Sequence, residues 1–174
     1  MAAANKHDER FRRWQLRAPE RTRQLSELLA NRLIPALEAT GFQKVDCVLG
    51  KRTSPVEGSE LRFERTLNGC IDVIYVFFDK YSSPRFQVSF SRRSVNDPEA
   101  IIRSGHLVRA PSERYHEWGK PRWFPVALWS EARAVGVAME VAGYLDQVLR
   151  FLEVGETGSK ISAANLGSAH RSRG

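Results

Sequence analysis

Residues 114–124 read Arg-Tyr-His-Glu-Trp-Gly-Lys-Pro-Arg-Trp-Phe and interleave aromatic rings with cationic side chains. With Arg109 just upstream, they define a candidate binding set of Arg109, Arg114, Tyr115, His116, Trp118, Lys120, Arg122 and Trp123. Such a set suits two chemistries. Rings can stack on nucleobases while Arg and Lys meet phosphates. Trp, Tyr and Arg also dominate the energetic centres of protein–protein interfaces. A third reading is structural: Trp123, Phe124 and Trp129 would staple the following helix to the core, with the cations left in water.

A second cationic stretch, with Arg10, Arg12, Arg13, Trp14 and Arg17, offers an alternative nucleic-acid contact. Residues 1–23 have a net charge of +4 and residues 155–174 one of +2, out of +7 for the whole chain, so the middle is nearly neutral. A dedicated nucleic-acid domain would carry its charge on the folded surface, which weakens that class.

Catalytic patterns are scarce. Of four histidines, His7 and His170 lie near the ends, and His106 and His116 share one loop with Glu113 and Glu117. Ten residues of irregular spacing fix no common face, unlike an i, i+4 pair of metal ligands on a helix. Glu57, Glu60 and Glu64 cluster, but Glu60 and Glu64 alternate with Leu61 and Phe63 and read as the solvated side of a strand. Glu64 would pair with Arg85 or Arg92 on a neighbouring strand. The chain has no nucleophile elbow, phosphate loop or dinucleotide-binding glycine pattern. The reading calls for no cofactor, no metal and no catalytic residue. A cleft bringing His106, His116 and an acid together would instead make the protein an enzyme.

Length and composition place these residues in one domain. The chain has 174 residues, 42% of them hydrophobic, enough for a core. The longest apolar run is Val73–Phe78, far short of the roughly 20 residues of a membrane-spanning helix. The N-terminus lacks the apolar stretch of a secretory signal, so the expected localisation is cytoplasmic, with no membrane partner. Cys47 and Cys70 are expected as reduced, core-filling thiols.

Hydrophobic spacing supplies the elements. Leu25, Leu28, Leu29, Leu33 and Leu37 recur at three- and four-residue intervals and predict a helix over 19–40, started by Pro19, kinked at Pro35 and ended by Gly41. Strands are predicted at 42–49, 61–67, 70–78 and 85–91, with Asn68-Gly69 forming a type I′ hairpin turn. Asn96-Asp97-Pro98-Glu99 has the form of a helix start, predicting a short helix to Gly105 and then an irregular loop to 124. Ala134, Val137, Val141, Leu145, Val148 and Leu152 predict one helix over 130–154, with Gly136 and Gly143 as points of close approach to the sheet. The expected architecture is α+β: a four-stranded antiparallel meander against an N-terminal and a C-terminal amphipathic helix. Residues 1–18 would form a basic, partly flexible segment, 19–154 the domain, and 155–174 a disordered polar tail.

The helix ending in Gly41-Phe42, the Asn-Gly hairpin leading into Ile71–Phe77, the strand Phe86–Phe90 and Trp123-Phe124 before a terminal helix together resemble the bacterial "domain of unknown function" family numbered 4304, over about residues 24–154. That resemblance implies an α+β fold and no established activity, and some similar small domains look like immunity proteins encoded beside bacterial toxins. The expected function is therefore a non-enzymatic bacterial binding module with a protein partner, of the toxin-neutralising, immunity type. Nucleic-acid association through the N-terminus and the 105–124 loop is the alternative.

Overall fold

The computed structural model describes residues 6–45, 59–79, 83–110 and 116–164. The chain is an α+β protein. Helices α1 (Lys6–Arg17) and α2 (Glu20–Glu38) precede the strands β1 (Gln43–Lys44), β2 (Glu60–Leu67), β3 (Cys70–Phe78), β4 (Arg85–Ser94), β5 (Ile101–Leu107) and β6 (Trp118–Gly119). Helices α3 (Glu131–Gly143) and α4 (Leu145–Val154) and strand β7 (Ile161–Ala163) follow. Every strand pairing is antiparallel, in the order β1-β2-β3-β4-β5-β7, with β6 also paired to β4.

Strand alternation sends one set of side chains to the helices. Leu61 and Phe63, Ile74, Val76 and Phe78, Phe86, Val88 and Phe90, and Leu107 form the inner face. Leu25, Leu29, Leu33 and Leu37 of α2, Ala134, Val137 and Val141 of α3, and Val148 and Leu152 of α4 complete this core. Asn68 and Gly69 have φ of 53° and 71°, and Leu67 pairs with Cys70 across them, as a type I′ turn requires.

Several expectations are corrected. The sheet has seven strands rather than four. The supposed helix after Asn96 is strand β5. There Asp97 closes a local turn instead, its Oδ1 accepting from Glu99 N (3.2 Å) and its carbonyl from Ala100 N (3.0 Å). Asx turns and helix caps use the same side-chain chemistry, and the β-branched Ile101-Ile102 then favours pairing with β4. Residues 1–18 include α1, which buries Phe11 and Trp14 against Phe78 at ring separations of 5.8 and 5.0 Å. The segment read as a tail contributes β7, whose Ile161 is buried, after Gly155 ends α4 at φ 81°. The terminal helix is two helices, divided at Tyr144. A Cβ at Gly136 or Gly143 would meet nothing within 4 Å, so neither marks a close approach. Helix α2 continues through Pro35 to Glu38. The 42–49 strand is described only as β1; Cys47 lies outside the described residues, and Cys70 is a free thiol.

Charges are built into the inner face beneath the end of α4. Asp72 is fully buried between Arg65 (Nε to Oδ2, 3.0 Å) and Arg92 (Nε to Oδ1, 3.6 Å). Arg92 donates to the carbonyls of Leu152 (2.6 Å) and Leu67 (3.1 Å), and Arg103 donates to those of Leu152 (2.7 Å) and Glu153 (3.0 Å). A helix C-terminus leaves carbonyls unpaired, and these guanidinium groups satisfy them while favouring the negative end of the helix dipole. Glu64 bonds Arg62 of its own strand, while Arg85 and Arg92 pair with other carboxylates, so the expected cross-strand pair does not form.

Candidate binding groove

Residues 116–130, ahead of α3, are held by their own hydrogen bonds. Trp118 fills the core beside Tyr144 and donates Nε1–H to the Leu107 carbonyl (3.0 Å). Gly119 has φ 100° and passes so close to β4 that a Cβ would lie 2.5 Å from the Pro84 carbonyl oxygen. Lys120 is buried, its ammonium holding the carbonyls of Pro121 (2.8 Å) and Phe124 (2.6 Å). Burial lowers its pKa, with the Arg85 guanidinium adding to the effect and the Asp79 and Glu117 carboxylates opposing it. Glu117 receives Arg122 through both oxygens (3.0 and 2.8 Å) and Arg85 at 3.1 Å, and Arg85 also meets Asp79 at 3.0 Å. A single 3-10 turn, Val126–Leu128, leads through Trp129 to Ser130, whose hydroxyl accepts from Arg133 N as the cap of α3.

This frame and α3 enclose an open groove of about 500 Å³. It is lined by Arg109, Pro121, Trp123 and Phe124 and, from Trp129 and α3, by Trp129, Arg133, Gly136, Val137 and Glu140. Three of the four tryptophans are buried, whereas Trp123 is 81% exposed. Its ring meets Phe124 edge-on at 5.7 Å, and the Arg133 guanidinium lies 4.8 Å from the Phe124 centroid. Val126, Leu128 and Met139 add exposed apolar surface. Trp129 is 3% exposed, and its Nε1 is a buried donor with no hydrogen-bond partner. The Arg109 backbone is held by Lys160 Nζ (2.6 Å), so the residues before β7 help to fix the groove's rim.

Of the sequence-derived set, Arg109 and Trp123 line the groove, and exposed Arg122 sits beside it, paired to Glu117. Trp118 and Lys120 are buried with their polar groups satisfied, which removes them from direct contact with a partner. Arg114 and Tyr115 lie outside the described residues. Trp129 does staple α3 to the core, and Trp123 does not. Arg133 and Glu140 were missed, although they share one α3 face with Val137 at three- and four-residue spacing.

His116 is elsewhere. It stacks on His106 at 4.8 Å and an interplanar angle of 9°, on the sheet face away from the helices. Its φ is 51° and its Nδ1 is buried without a partner, while His106 Nδ1 shares a hydrogen bond with Ser89 Oγ (3.0 Å). Parallel rings do not converge their nitrogens on one point, and no group of three or more His, Cys, Asp or Glu among the described residues could hold a metal.

Burial lowers the His106 pKa below its usual 6.5, and the charge of His116 lowers it further. In the unfolded chain this imidazole protonates near pH 6.5, but in the folded chain only at lower pH. The unfolded state therefore binds more protons as pH falls through that window. Stability is full above about 6.5 and is lost as pH drops through the folded value. Urea midpoints should fall between about pH 8 and pH 5.5, and His106→Gln should flatten that fall; an equally steep fall in the variant would refute the linkage.

In the alternative nucleic-acid set, Arg10, Arg12, Arg13 and Arg17 lie on α1, but Trp14 is buried and stacked with Phe11 at 5.6 Å, so it offers no face to a base. Among the described residues, no helix is long and apolar enough to cross a membrane. No protein-family model, curated protein or solved structure matches the chain.

Proposed function

We propose that this chain is a binding module without catalytic chemistry, whose groove beside α3 receives an acidic segment of a protein partner with an apolar anchor. The observation that carries this reading is Trp123, 81% exposed between the buried Lys120 and Trp129 that anchor its segment. A large exposed ring in the lining of a groove, against Phe124, has the form of an interface hot spot. Arg109 and Arg133 both line that groove and give it positive charge. A carboxylate-bearing segment complements these two guanidinium groups. The resemblance to the family numbered 4304, with some similar small domains looking like immunity proteins, supports a toxin-neutralising role, with the partner a toxin.

The test is tagged purification from the native host with the wild-type chain and with Arg109→Glu/Arg133→Glu. The wild type should retain a stoichiometric protein partner, and the charge-reversed chain should lose it. Equal recovery of that partner by both chains, or repeated recovery of none by the wild type, would contradict the proposal.

A further inference from the structure

Helix α1 buries Phe11 and Trp14, with Ala18 just past its end. At about 100° per residue, Arg10, Arg13 and Arg17 fall within about 60° of one another, beside that buried side, and Arg12 falls on the opposite one. With Leu16, the three arginines line a groove of about 390 Å³. Among the described residues none of the three meets a carboxylate, and Arg10 Nε is buried with no hydrogen-bond partner. Arg17 is exposed, and its Nε donates to the Arg13 carbonyl (3.2 Å). The aromatic contacts to Phe78 fix the helix on the sheet, so the cations are held in a row rather than on a loose tail.

We propose that this arginine row binds the phosphate backbone of a nucleic-acid strand, without reading its bases. From Arg10 to Arg17 the helix rises about 10.5 Å. That matches about three phosphate steps of a duplex strand, at about 3.4 Å each along the axis. Guanidinium groups suit phosphate because their paired donors match its oxygens. A protein partner is the weaker fit, because an interface centre needs desolvated apolar surface and only Leu16, 69% exposed, provides it here. A membrane surface is weaker still, since the apolar side of this helix is already buried. The buried Trp14 leaves no stacking platform, so contact is with phosphate and is insensitive to sequence.

The experiment is fluorescence anisotropy of the full chain with a labelled DNA duplex and a single-stranded RNA, titrated across salt. Three neutralised phosphates give a slope of about −2.7 in log K against log salt on duplex, so a fourfold rise in salt should weaken binding roughly 40-fold. Arg10→Gln/Arg13→Gln/Arg17→Gln should lose most of that slope and bind all sequences more weakly. Arg12→Gln should retain both slope and affinity, and the unfolding midpoints of all three chains should agree. Binding by the triple variant with wild-type slope would overturn the proposal. So would an equal loss in Arg12→Gln, no binding by the wild type at low salt, or competition by polyglutamate or inorganic phosphate as strong as that by unlabelled DNA.

Discussion

Asp72→Ala should remove about 3–5 kcal/mol of stability, the loss expected when one partner is deleted from a buried ion pair. Asp72 is fully buried and its carboxylate faces Arg65 and Arg92, which are themselves nearly enclosed. The two guanidinium groups would keep their bonds to the carbonyls of Thr40, Leu67 and Leu152 and to Glu153, but would lose the charge between them. Domains of this kind are stable by only about 5–15 kcal/mol in total, so the variant should sit near the edge of folding. At about 2–4 °C per kcal/mol, the melting temperature should fall by about 6–20 °C. Asp72→Asn, which keeps a hydrogen-bond acceptor for Arg65, should lose less. Urea unfolding monitored by tryptophan fluorescence checks this; a cost below about 1 kcal/mol for Asp72→Ala would show that the network is not what ties β3 to α4.

Trp123→Ala has the second large effect, on binding rather than folding. Exposed side chains away from caps and networks change stability by about 0.5 kcal/mol or less, and Trp123 is exposed to 81%. Interface hot spots lose about 2 kcal/mol or more on truncation, or about 30-fold in affinity. Titration calorimetry with the recovered partner should therefore show at least that loss, with an unchanged melting temperature. Trp129→Ala cannot serve as the test, because Trp129 is part of the core and its loss would unfold the floor of the groove.

Local signals in the sequence were reliable where one residue type admits one conformation. Asn68-Gly69 required positive φ, and the leucine stripe of α2 required a helix against an apolar surface. Where two conformations share the same residues, the sequence was ambiguous. Asn96–Glu99 could cap a helix or close a turn, and pairing with β4 decided for the turn. Strands β6 and β7 have two and three residues, too few for any period to show, and they exist because β4 and β5 offer them hydrogen bonds. The 105–124 segment was legible as a candidate site, but the roles within it were not. Trp118 and Trp123 look alike in sequence, and only the close approach of Gly119 to Pro84, which turns the chain, places one in the core and the other on the surface. Arg133 and Glu140 carry no signal of their own in the sequence, because charged residues flanking an apolar stripe are the ordinary solvated side of a helix. Trp14 shows the opposite case, a ring among arginines that packs inward once α1 docks on Phe78.

Hydrogen exchange of the chain, free and saturated with its partner, tests the groove most directly. Protection should concentrate in residues 121–140, around Trp123 and the first turns of α3, with the strand segment holding Tyr75 and Phe77 unchanged. Protection centred on that strand segment or on His106, with 121–140 exchanging as in the free chain, would contradict the account.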